Sequence, residues 1–124
     1  MNDLSLDLAG QSAFEPGQTV PVTAKWNLKA PLDAVELRVV WNTAGRGDVD
    51  LQIAEAVRIE SPPPSDIRQI TLTLPRQPYS FSGKLVSLVW ALELVAMPSL
   101  ASTRTKITIG PGGKAIRLPE LPGQ

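Results

Sequence analysis

The side chains that most often do chemistry are missing from this sequence or stand without partners. Among its 124 residues there is no histidine and no cysteine. A serine or threonine nucleophile therefore has no imidazole to take its proton, and no thiolate is available for attack or for zinc. Spacing reveals no Ser–Lys pair either, which leaves only carboxylates that meet in the folded chain as a conceivable acid–base couple. Asp48 and Asp50 fall on one polar strand face, but a hard cation asks for several oxygen ligands, so two solvated carboxylates are expected. Arg46-Gly47-Asp48 spells an adhesion tripeptide inside Thr43–Asp48, where two glycines between strands also suit a plain hairpin turn. Trp26, Trp41 and Trp90 could stack on sugars, yet each falls on the apolar parity of its run and is assigned to the core. Pro75-Arg76-Gln77-Pro78-Tyr79 fits a loose ligand pattern for proline-binding grooves and is read as a proline corner. No catalytic residue, metal ligand or cofactor is expected, and the chain is not expected to be an enzyme.

Composition narrows the partners. Twelve basic and twelve acidic residues cancel, which argues against nucleic acid. Charged residues make up 19%, below the roughly 25% of an average soluble domain. The length suits one domain, large enough to bury about two-thirds of its unfolded surface. The most apolar stretch, Leu85 to Met97, is too short for a membrane span of about 20 residues. The opening MNDLSLDLAG lacks the basic start and apolar core of a signal peptide. With no cysteine, the expected location is cytoplasmic.

The elements that must position any site are strands. Leu4, Leu6 and Leu8 alternate with polar residues, as do Val20, Val22, Ala24, Trp26 and Leu28, and then Val35, Leu37, Val39 and Trp41. Such alternation puts the apolar set on one face and the polar set in water. A fourth run, Asp48 to Glu60, sends Val49, Leu51, Ile53, Val57 and Ile59 to one side. Glu55 interrupts that face, so a bulge or overhanging end is expected there. Ile70, Leu72 and Leu74 make a fifth strand after Pro62-Pro63-Pro64, and Thr105, Ile107 and Ile109 a seventh. Between them, Leu85 to Met97 is apolar on both parities. Periodicity does not separate a buried strand from a buried helix, but Gly83, Pro98, its valines and the flanking strands favour a strand.

About seven strands with Pro- and Gly-rich turns predict an all-β, immunoglobulin-like sandwich of two antiparallel sheets. Residues 1–110 form the sandwich domain. Residues 111–124 form a Gly/Pro-rich tail that holds Ile116 and Leu118 and room for one short extra strand.

Two segments resemble the arrestin-like domains. Phe14-Glu15-Pro16-Gly17-Gln18-Thr19-Val20-Pro21-Val22 is similar to the segment that opens the second strand of that family. Leu74-Pro75-Arg76-Gln77-Pro78-Tyr79-Ser80-Phe81-Ser82-Gly83, running into Leu85–Leu94, resembles the proline-rich corner and strand that follow, with Trp90 at the aromatic position. The segments cover about a third of the chain. The resemblance implies an arrestin-like sandwich of the kind forming the N-terminal half of such proteins, which are non-enzymatic adaptors and scaffolds. That family, including the retromer's arrestin-like subunit, normally carries two sandwiches in tandem, and this length suits one. The family's phosphate-sensing lysines of the first strand have no counterpart in the acidic Leu4-Ser5-Leu6-Asp7-Leu8, so a phosphoreceptor site is not carried over.

Two further features bear on partners. Residues 1–62 hold five basic and nine acidic side chains, and residues 63–124 hold seven and three. In a sandwich this split can pair neighbouring strands, or it can favour head-to-tail assembly. The second face of the 85–97 strand is also apolar, whereas a sandwich strand normally shows water one face. Leu85, Val89 and Val95 would line an outward stripe, covered within the chain, by a crossing of the strand between sheets or by the tail's Ile116 and Leu118, or else by another chain. The function expected is a protein-interaction module, adaptor or scaffold, binding another protein chain through Leu85, Val89 and Val95. Its alternatives are a self-assembling structural subunit and a small-ligand or carbohydrate-binding module.

Overall fold

Alternation of apolar and polar side chains builds the strands, and its interruptions shape their ends. The computed structural model describes residues 3–45, 51–82 and 86–117. Among them run ten strands: β1 (Asp3–Asp7), β2 (Ala13–Phe14), β3 (Thr19–Asn27), β4 (Ala34–Gly45), β5 (Leu51–Glu60), β6 (Ser65–Thr73), β7 (Phe81–Ser82), β8 (Val86–Met97), β9 (Ser102–Ile109) and β10 (Ile116–Arg117). Seven of these have five or more residues, in line with the expected count. The fold is the expected all-β sandwich. One antiparallel sheet has the order β1-β3-β6, and the larger one runs β5-β4-β8. The far edge of β8 is shared by β7 and β9. The ladders β2·β9 and β7·β10 are parallel, an addition to the antiparallel plan made by two-residue pieces that fasten the margins.

The core lies between the sheets. Along β3, Val20, Val22, Ala24 and Trp26 are all buried and their neighbours are not. Across β4 and β8 the inward rungs pair Val35 with Ala96, Leu37 with Leu94, Val39 with Leu92 and Trp41 with Trp90. Burying such an aliphatic side chain is worth about 1.5–3 kcal/mol. Trp26 and Trp90 are completely buried; Trp41 is half-buried and tilts against Trp90 with 6.4 Å between ring centres. An indole N–H in a dry interior needs an acceptor. Trp26 Nε1 donates to the Pro63 carbonyl and Trp90 Nε1 to the Pro78 carbonyl, each at 2.9 Å.

The two segments that resemble the arrestin-like family meet in space. Gly17 N–H donates to the Pro75 carbonyl at 3.3 Å and Leu74 N–H to the Gln18 carbonyl at 2.9 Å. The turn itself is closed by Gln18, whose N–H donates to the Glu15 carbonyl and whose side-chain oxygen accepts from Glu15 N–H. Gly17 has φ +76°, the left-handed region that glycine enters without strain. Further along, the buried Ser80 clasps Ile109: Ser80 N–H donates to its carbonyl at 2.7 Å, and Ser80 Oγ accepts its N–H at 2.9 Å.

The fifth strand begins earlier than the apolar residues suggest, at Ser65 rather than near Ile70. The fourth run carries the expected bulge. Glu55 lies opposite Val39 and Ile53 opposite Val40, so Ala54 is left without a rung. Past that point the parity of β5 reverses.

Two substitutions test this frame by urea denaturation. Gly110 is extended, but a Cβ there would sit 1.9 Å from the Lys114 carbonyl oxygen; Gly110→Ala is expected to lower stability by about 2–3 kcal/mol. Trp90→Phe strands the Pro78 carbonyl and is expected to cost about 1–3 kcal/mol, with near-wild-type stability as the contrary result.

Candidate interaction surfaces

Inside the sandwich, polar groups are already occupied. Among the described residues every buried side-chain nitrogen or oxygen has a hydrogen-bond partner, and no three acidic residues gather as cation ligands. A shallow depression of about 360 Å³ lies at one end, lined by residues 28–32 with Pro98 and Ser99, and Lys29 is its only charged side chain. Trp26 and Trp90 offer no face to a sugar, because neither reaches the surface. Asp48, Asp50 and the Arg46-Gly47-Asp48 turn lie outside the described residues, as does Leu118.

What reaches the surface in a distinctive way is the outward face of the larger sheet. Its odd-numbered β8 residues are Ser87, Val89, Ala91, Glu93 and Val95, facing the same side as Glu36, Arg38, Val40 and Asn42 of β4. One end of this face carries a row of alternating charge. Glu60 pairs with Arg58 at 2.5 Å, Arg58 with Glu36 at 3.6 Å and Glu36 with Arg38 at 2.9 Å. Arg38 reaches Glu93 at 3.6 Å, and Glu93 holds Arg104 at 2.9 Å. The hydrogen bond and charge of Glu60 raise the Arg58 pKa further. Exposed pairs of this kind contribute at most about 1 kcal/mol each. Their larger effect is to close this end to apolar partners, because covering paired charges means desolvating them.

The other end is apolar. After the Ala54 bulge, Ile53 stands beside Val40 and Leu51 beside Asn42, so both point outward rather than into the core with Val57 and Ile59. Each is 53% exposed. Behind them Val40 and Ala91 share a rung and are both buried, and Val89 stands opposite Asn42. The proposed interface residues are thus separated. Val89 is half-buried within this apolar end. Val95, rung neighbour of Glu36 and Ser102, lies in the charged end and is only 4% exposed. Leu85 lies outside the described residues. The tail does not lie over this face where it is described: Ile116–Arg117 extends the sheet sideways along β7. Leu51 and Ile53, expected on one side with Val57 and Ile59, lie on the opposite one, because the bulge expected at Glu55 shifts the register and with it the parity of the residues before it.

Among the described residues, two long strands also end their sheets. β5 closes the larger sheet and β6 the smaller one. On β6, Ile67 is 59% exposed. The Asp66 carboxylate accepts from Arg68 Nε at 2.6 Å and from the Ile67 N–H at 2.8 Å, and these two bonds, that from Arg68 first, hold its pKa below the usual aspartate value.

No family model matches the sequence, and no curated protein matches it either. Among solved structures, the fold is similar to Spo0M, a sporulation control protein from Bacillus subtilis, with a TM-score of 0.62 and 16% identity. The match covers 89% of this chain and 49% of that one, so the chain spans about half the length of its structural neighbour. Together with the meeting of the two resembling segments, that similarity supports the arrestin-like fold: the chain is an all-β, arrestin-like sandwich.

Proposed function

We propose that this chain is a non-enzymatic protein-interaction module, an adaptor or scaffold working in the cytoplasm, and that it binds another protein chain through the apolar end of its larger sheet. The observation that carries this reading is the half-exposed pair Leu51 and Ile53, turned outward beside Val40 and Val89 by the bulge. Large apolar side chains left half-exposed on one sheet face are a common feature of docking surfaces. The lack of histidine and cysteine throughout the sequence favours surface burial over chemistry, and the absence of cysteine suits a reducing compartment. The structural neighbour is named as a control protein, which is compatible with a regulatory role without catalysis. Burying the exposed halves of the two side chains would supply about 1 kcal/mol each, enough to bias partner choice but requiring Val89 and the β5 edge to complete a stable contact.

The test is a tagged pull-down from native lysate, read by mass spectrometry, with Ile53→Asp and Val89→Asp as controls. A stoichiometric partner lost in both variants, with the far-ultraviolet circular dichroism unchanged, is the expected result. Because Ile53 is half-exposed, Ile53→Asp is expected to change stability by less than about 1 kcal/mol. A partner retained by Ile53→Asp, or unfolding of Val89→Asp with the partner still bound by Ile53→Asp, contradicts the assignment.

A further inference from the structure

Among the described residues no strand pairs with the outer edge of β6, and this free edge is built differently from that of β5. Its register with β3 runs unbroken over nine rungs, from Thr19 opposite Thr73 to Asn27 opposite Ser65, whereas β5 is kinked by its bulge, a device that discourages edge pairing. Bonds at the two ends of the β3·β6 ladder fix which backbone groups are spent. Leu28 N–H donates to the Pro64 carbonyl at 2.8 Å and Leu74 N–H to the Gln18 carbonyl at 2.9 Å. In an antiparallel pair such residues alternate, so even-numbered residues of β6 bond to β3. The odd-numbered residues, Ser65, Ile67 and Gln69 among them, turn their N–H and C=O groups to the free edge.

The side chains along this edge are self-complementary. Ser65-Asp66-Ile67-Arg68-Gln69 reads polar, acidic, apolar, basic, polar. Reversed about Ile67, each charge falls on its opposite. We propose that β6 pairs antiparallel with β6 of a second copy of this chain, about a two-fold axis at Ile67. Ile67 then meets Ile67 of the second copy, Asp66 stands opposite Arg68 and Arg68 opposite Asp66, and Ser65 opposite Gln69. Residues opposite one another in an antiparallel pair share a face, so the charges can touch. A self-paired contact of this kind is isologous, with each surface used twice. About six backbone hydrogen bonds form, two at Ile67 and two at each Ser65–Gln69 rung.

Neighbouring registers are worse. Centring the axis on Asp66 or on Arg68 sets like charges face to face, and centring it on Gln69 places Arg68 against Ile70 and Asp66 against Leu72. The self-complementary register has two internal costs: in the single chain the Ile67 N–H is held by its own Asp66 carboxylate, and that carboxylate is also paired with the chain's own Arg68 at 2.6 Å. On pairing, that N–H passes to the Ile67 carbonyl of the second copy, and the carboxylate turns to the opposing guanidinium. The edge strand and the outward patch of the larger sheet are separate surfaces, so this pairing stands beyond the interaction module proposed above and does not depend on its partner.

Sedimentation velocity of the whole chain over a wide concentration range tests the pairing. Wild type is expected to rise from monomer to dimer mass. Asp66→Arg and Arg68→Asp each set like charges opposite one another, and each should weaken dimerisation about tenfold or more. The double swap Asp66→Arg/Arg68→Asp rebuilds the complementary row and should restore the dimer. Ile67→Pro, whose missing N–H faces the free edge where proline is tolerated, should abolish the dimer with the circular dichroism unchanged. Should that variant misfold, the charge swaps alone decide. A wild-type chain that stays monomeric, single swaps without effect, or a double swap that fails to restore the dimer overturns the pairing. Ile53→Asp should leave the dimer mass unaltered. A monomeric chain that still captures a partner through Ile53 overturns the pairing while the interaction module stands.

Discussion

Two indole N–H groups have to find acceptors inside a dry core, and the sandwich is arranged around how they do so. Trp26 on the smaller sheet reaches the Pro63 carbonyl in the connection from β5 to β6. Trp90 on the larger sheet reaches the Pro78 carbonyl in the corner between β6 and β7. Both connections carry the chain from one sheet to the other, and in both the acceptor is a proline carbonyl, which has no N–H of its own to satisfy. An indole left without a partner would cost about 1–3 kcal/mol. Each tryptophan therefore does two things at once. It fills the core, and it fixes where a proline-rich loop enters the next strand, which in turn sets the start of β6 and the approach to β8.

With the inner faces fixed in this way, the outward face of the larger sheet is left to be used. Its two ends have been given opposite characters by few residues. Six alternating charges tie β5, β4, β8 and β9 together at one end and leave Val95 little exposed among them. At the other end a single unpaired residue, Ala54, turns Leu51 and Ile53 out of the core. Bulges of this kind re-aim side chains on edge strands. The half-exposed apolar patch is thus a product of strand geometry, not of an apolar sequence that failed to find the interior.

Much of this was legible in the residues. The alternation in Val20–Leu28 and Val35–Trp41 predicted buried faces that the structure contains, and the two segments resembling arrestin-like domains touch through Gly17, Gln18, Leu74 and Pro75. The strand over Leu85–Met97, ambiguous by period, is a strand from Val86 because it pairs with β4 on one side and with β7 and β9 on the other. What was harder to see has a common cause. The β6 strand runs past the edge of the core, so Asp66 and Arg68 occupy inward parity but meet water, and Ile67 stands on the outside; no apolar alternation announces its first half. The two-residue strands β2, β7 and β10 are too short to show a period at all. Leu51 and Ile53 required following the bulge through to its consequence, a reversal of parity on its far side.

The claim on which the functional account rests is that reversal, and nuclear Overhauser contacts between side chains read it directly. In a methyl- and aromatic-labelled sample, Ile53 is expected to show contacts to the methyl groups of Val40 and none to the Trp41 ring. Contacts from Ile53 to Trp41 would mean that β5 keeps one parity throughout, that Leu51 and Ile53 belong to the inner face, and that the outward patch does not exist.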